Sequence, residues 1–276
     1  MIASLRRHAL TIPTQTNLPL WPKETRGFPN VFARSSLFNA ASLRKGKRRQ
    51  FKKHTVATLK DAQIIYSGEE LRQDDEDVFL QILHIARLSE LGTRVFFTAN
   101  SIITELGWSR NGASYVRLSD CLERMKVTSV EVILHDSSAN EKRCYSGSLI
   151  RLFRWRQDLT EGSTTREWEV LLEPEIVALF NPCSYTQLDW RLRMTLPPLA
   201  KWLHSFYHSH AEPFPFKVET ICRLAGSEAR TLYQFRYKLR LALELLIERG
   251  FFLTAVIDQK SDLVKVERAA ERKRLE

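Results

Sequence analysis

Arg230, Tyr233, Gln234 and Tyr237 are three, four and seven residues apart, a spacing that places them on one side of a helix. Arginine can pair with guanine O6 and N7, glutamine with adenine N6 and N7, and a tyrosine hydroxyl can reach a phosphate. Lys238 and Arg240 flank this surface, whereas Glu244 and Glu248 follow on its later turns. Only the N-terminal half of the helix therefore suits an anionic groove. Leu232, Phe235, Leu239, Ala242, Leu243 and Leu246 share the opposite face and read as core. The spacing predicts a helix from about Glu228 to Arg249, closed by Gly250.

An earlier helix, about 114–126, is a poorer reader of bases. Leu118, Cys121, Leu122 and Met125 form its core face, and Val116, Asp120 and Glu123 lie opposite. Arg117 and Arg124 alone flank it, which suits contacts to phosphate, minor groove or another chain. A third cationic group, Arg44, Lys45, Lys47, Arg48, Arg49, Lys52 and Lys53, is expected to bind any duplex by displacing counterions.

Other chemistries lack their complete residue sets. His204 and His208 stand one helical turn apart with His210 beyond, but no Cys or carboxylate pair completes a tetrahedral metal site; a satisfied or exposed helix-end role is expected. Asp74, Asp75, Glu76 and Asp77 point 100° apart along a helix and cannot converge on one ion, so they read as a solvated first turn favoured by the helix dipole. Gly107 and Gly112 have phosphate-loop spacing, yet Ala113 and Ser114 follow where Lys-Ser/Thr is required. Cys121, Cys144, Cys183 and Cys222 are too far apart for CxxC pairs and read as free thiols. No catalytic residue, metal or cofactor is expected.

The elements that must position these residues belong to a chain of 276 residues, 43% of them hydrophobic, with 42 Lys+Arg against 32 Asp+Glu. The net charge of +10 favours a polyanionic partner. Residues 1–60 hold 13 of the bases and one acid, leaving 29 against 31 in the remainder. The excess thus sits in residues 1–55, where Pro13, Pro19, Pro22 and Pro29 interrupt any periodicity and a flexible basic arm is expected. No apolar run is long enough to span a membrane, no secretory leader is evident, and a reducing cytoplasm is expected.

Beyond the arm, the order helix, strand, helix, turn, helix, hairpin is predicted twice. That order is the winged helix, a variant of the helix-turn-helix. The expectation is an α+β chain with a first winged helix over 56–182 and a second over 183–276.

Three ordered segments carry a family resemblance: Tyr66-Ser-Gly-Glu-Glu-Leu-Arg followed by Asp74-Asp-Glu-Asp-Val-Phe; Glu105-Leu-Gly-Trp-Ser-Arg-Asn-Gly112; and Ser209-His-Ala-Glu-Pro-Phe-Pro-Phe-Lys-Val-Glu-Thr220. They resemble the TrfA family of plasmid replication initiators, and the likeness extends from Leu18-Pro-Leu-Trp-Pro and Ala33-Arg-Ser-Ser-Leu-Phe38 to the last helix. The resemblance implies binding to directly repeated origin sites (iterons), opening of an adjacent A+T-rich segment and recruitment of the host initiator and replicative helicase. It also implies monomers active in initiation and dimers that restrain copy number, in a bacterial cytoplasm on plasmid DNA. Gln15, Leu18 and Leu20 resemble the family's peptide for the polymerase sliding clamp, offering one amide and two apolar anchors. The rival expectations are a winged-helix transcription regulator on a promoter operator and a metal-dependent origin nuclease.

Overall fold

The computed structural model describes residues 17–42, 47–58, 62–89, 93–136, 141–157, 166–181 and 184–269. Its first segment is a strap across the body rather than a free arm. Strand β1 (Thr25–Pro29) leads through a single helical turn, α1 (Asn30–Ala33), to β2 (Phe38–Asn39). Leu18, Trp21, Phe28, Phe32, Leu37 and Phe38 are all buried in the main core. The arm expected over 1–55 is thus corrected for residues 17–42: prolines break helical and strand periodicity there, yet each aromatic side chain still finds an apolar site.

Strand β3 (Gln50–Thr58) pairs with β4 (Ala62–Glu69), and the short β5 (Leu71–Arg72) runs parallel to β2. The first unit begins with α2 (Gln73–Ala86), β6 (Arg94–Thr98) and α3 (Ala99–Glu105). After a turn comes α4 (Gly112–Val127), whose cap Asn111 accepts a hydrogen bond from the Ser114 amide. Strands β7 (Ser129–Asp136) and β8 (Glu141–Gly147) extend the sheet to the order β3-β4-β7-β8. The hairpin β9 (Ile150–Gln157) and β10 (Arg166–Leu172) joins β6 in the order β6-β10-β9.

A helical turn, α5 (Pro174–Val177), leads to β11 (Tyr185–Asp189), which pairs antiparallel with β1. After α6 (Trp190–Met194) the order repeats: α7 (Pro198–His208), β12 (Phe216–Lys217), α8 (Val218–Leu224), α9 (Leu232–Glu248), then the hairpin β13 (Phe252–Ile257) and β14 (Leu263–Arg268). Its sheet order, β12-β14-β13, matches β6-β10-β9 in the role of each strand. The first unit differs by the β7 and β8 insertion between its third helix and its hairpin. Two apolar cores result, one running from Leu18 to Trp190 and the other from Leu196 to Val264.

The first turn of α2 overturns the expectation of a solvated acidic run: Asp74, Asp75, Glu76 and Asp77 are all buried. Buried charge is tolerated only when paired, and here distant segments supply the cations. Arg48 reaches Asp75 at 2.7 Å and Asp74 at 2.9 Å, and Arg124 reaches Asp75 at 2.9 Å. From the second half, the fully buried Arg193 donates to Asp77 at 2.8 Å, to Gln73 at 3.0 Å and to Ser205 at 2.8 Å, and lies 3.1 Å from Glu76. Lys201 also pairs with Asp77. The strap adds backbone links between the halves, with the Ala40 amide donating to the Ala225 carbonyl at 2.8 Å and the Trp202 indole to that of Ser35 at 2.9 Å.

Candidate nucleic-acid interface

Helix α9 begins where Thr231 caps it, its hydroxyl accepting from the Gln234 amide at 3.2 Å. A threonine cap in extended conformation starts the helix at Leu232, four residues later than periodicity alone suggested. Arg230 therefore stands in the turn just before the helix instead of on it, and it is exposed. Tyr233 is 79% and Tyr237 58% exposed, and Gln234, Lys238 and Arg240 are exposed with them. Phe235, Leu239, Ala242, Leu243 and Leu246 are buried on the far side. Among the described residues, no carboxylate pairs with Arg230, Lys238 or Arg240. Arg236 does pair, bidentately with Asp262 at 2.9 Å for both contacts, and so ties the helix to the β13–β14 turn. The surface is cationic, rich in donors and held at a fixed angle to its hairpin.

Helix α4 offers less. Arg124 is largely buried and committed to Asp75. Arg117 lies 3.5 Å from Asp74 and stacks its guanidinium 4.1 Å over Trp108. Arg124 thus leaves the expected DNA-contacting set, and Arg117 has its charge partly matched from within.

The basic run divides as well. Burial alone would pull the Arg48 guanidinium down, but Asp75 and Asp74 outweigh it and hold it above the ordinary arginine value. The same partnership holds Asp74 below the usual carboxylate range against its burial, whereas burial and the neighbouring Asp74 charge push Asp75 up. Arg49 pairs with the buried Glu70. Arg48 is corrected from a DNA ligand to a partner of buried acids, whereas Arg49 keeps an exposed guanidinium beside Glu70. Lys47, Lys52 and Lys53 remain exposed; Arg44 and Lys45 lie outside the described residues.

The β9–β10 hairpin carries a cationic surface that sequence reasoning missed. Arg151, Arg154 and Arg156 are exposed, Trp155 is 50% exposed, and the Arg166 guanidinium stacks 4.4 Å over Trp155. Arg154 and Arg156 share their charge with Glu169 and Glu167 across the hairpin. The signal was the run from Arg151 to Arg156, in which bases alternate with Leu, Phe and Trp.

The expected clamp peptide is also taken apart. Leu18 is 4% exposed and Leu20 74%, so the two apolar anchors do not face a common partner. Trp21 follows Leu18 into the core, stacked 5.7 Å from Phe180 and donating its indole N–H to His84 Nδ1 at 3.1 Å. Gln15 lies outside the described residues. His204 is corrected from a satisfied or exposed side chain to a buried one without a hydrogen-bond partner, and burial drives its pKa well down.

A family model described as TrfA protein matches residues 12–268. The chain belongs to the TrfA family. A curated relative, the plasmid replication initiator protein TrfA of Escherichia coli, is 32% identical over 249 residues, covering 90% of this chain. This TrfA-family chain spans 63% of that relative's length. Crystal structures of domains 2 and 3 of RctB share its fold. One has a TM-score of 0.58 at 13% identity, covering 88% of this chain and 99% of that one. A second has a TM-score of 0.55 at 12% identity, covering 87% and 97%.

Proposed function

We propose that this chain is a plasmid replication initiator in which two tandem winged helices bind directly repeated origin sites, with α9 as the principal reader of bases. The observation that carries this reading is the exposed set Arg230, Gln234, Lys238 and Arg240, whose three cations have no carboxylate partner among the described residues. The set lies in and just before the N-terminal half of the third helix of a repeated helix, strand, helix, helix, hairpin order. In a helix-turn-helix, the N-terminal residues of that helix contact base edges in the major groove. Family membership supports the biological setting: binding beside an A+T-rich segment, its opening into single strands, recruitment of the host initiator and helicase, and self-association that limits copy number.

The first unit supports the second through phosphate contacts. Its candidates are Arg117, the exposed arginines of the β9–β10 hairpin, and Lys47, Lys52 and Lys53. Such contacts fix position and orientation without reading sequence. The sliding clamp has no place in this reading, because Leu18 is committed to the core.

The work is binding and bending of DNA, without cleavage of phosphodiesters. A plasmid deleted for its own initiator gene should replicate when this chain is supplied from a second replicon. Purified protein with magnesium or manganese should leave the supercoiled origin un-nicked. A chain that represses a promoter but supports no replication is the transcription regulator instead, and a nicked origin identifies the nuclease.

A further inference from the structure

Between the two halves lies a groove of about 430 Å³, bounded on one side by the start of β3 and on the other by α8, the following turn and the N-terminus of α9. That volume is in the range of pockets that hold nucleotide-sized groups. Its walls are set by tight packing: Gly226 sits in the left-handed region at φ +59°, and a Cβ there would stand 2.6 Å from the Asn39 Cβ. The Ala40–Ala225 hydrogen bond holds the same two walls together.

Arg49, His54, Arg223 and Arg230 line the groove against one acid, Glu219. Arg49 gives part of its charge to Glu70, but among the described residues Arg223 and Arg230 have no carboxylate partner. The Phe51 and His54 rings stack at 4.8 Å, and the Arg49 guanidinium lies 5.1 Å over Phe51, building one wall as a cation–aromatic ladder. A preformed cleft that is cationic on both banks and flat along one fits a phosphodiester strand with its sugars, and it shares Arg230 with the reading surface.

We propose that this groove seats the sugar–phosphate backbone of the strand flanking α9, so that one duplex engages both halves of the chain together. The proposal rests on the DNA-binding reading above and deepens it by placing the backbone at the junction. Arg223 and His54 are then phosphate ligands, and the strap and β3 become part of the DNA site.

Cys222 lines the same groove and serves as a reporter. Its alkylation by N-ethylmaleimide, followed peptide by peptide, should slow at least about tenfold when the chain is saturated with a duplex it has itself selected from a randomised pool. The exposed Cys144 on β8 provides the reference rate. Arg223→Gln should weaken selected and unrelated duplexes alike, several-fold, and reduce the log-affinity against log-salt slope by about 1. Full-affinity duplex binding with Cys222 reacting at its free rate and the Arg223→Gln slope unchanged overturns the groove proposal while leaving the function intact. Protection by tripolyphosphate but not by duplex also overturns it, marking a pocket for free anions. Absence of duplex binding overturns the reading beneath it.

Discussion

Arg230 and Gln234 illustrate how far residue types alone lead. The exposure of Gln234 was legible from the hydrophobic period, because the core face of α9 leaves it nowhere else to go. The displacement of Arg230 into the turn was not, since it depends on Thr231 capping the helix. Either residue replaced by alanine should cost about 1–3 kcal/mol on the cognate site and relax preference at one base position, measured by titration over single-base variants with folding checked by circular dichroism. Uniform weakening across all variants would make the residue a phosphate contact. A second residue-scale outcome concerns acid. His84 accepts the Trp21 indole N–H, and burial, with Arg26 and Arg87 nearby, pushes its pKa down to about 3. Between pH 6.5 and that value the unfolded chain takes up a proton that the native chain refuses, so stability present at neutral pH is lost as pH falls. The loss from this group between pH 7 and pH 5 is about 2 kcal/mol. His84→Asn keeps an acceptor for Trp21 without a titrating ring. Urea midpoints at the two pH values should therefore separate less in the variant than in the parent; equal separation would clear His84 of the effect.

At the scale of elements, the two helix-strand-helix-helix-hairpin orders were readable because each long helix and hairpin has its own local period. The strap and the interlock at α2 were not. Asp75 meets Arg48 and Arg124, and Asp77 meets Arg193 and Lys201, across separations in sequence that leave no periodic trace. Four acids opening a helix look identical whether water or arginine surrounds them. The same reasoning applies to Phe28, Phe32 and Phe38, which are anchors spaced by prolines and turns rather than one face of an element. Two substitutions test these elements. Arg193→Leu strands Glu76 in the interior without a cation and leaves Asp77 to Lys201 alone, and should cost about 3–5 kcal/mol in chemical unfolding. Trp21→Ala, in a segment that a flexible arm would render indifferent, should cost about 3–5 kcal/mol as a buried aromatic. Unfolding midpoints equal to the parent's would return either element to the solvated state first expected of it.

Across the whole molecule, the strap, the buried ion pairs of α2 and the β1–β11 pairing join two similarly ordered units into one body. A body so joined presents two unlike surfaces, α9 and the β9–β10 hairpin, at a set separation. One chain should therefore recognise an asymmetric sequence, and several chains should line up head to tail on copies of it. The direct measurement is to let the purified chain select fragments from a pool of fragmented plasmid DNA at fixed salt and to sequence what it keeps. The account predicts enrichment of fragments carrying directly repeated copies of one asymmetric sequence beside an A+T-rich segment. Enrichment of a lone inverted repeat, or no enrichment over unrelated DNA, would contradict it.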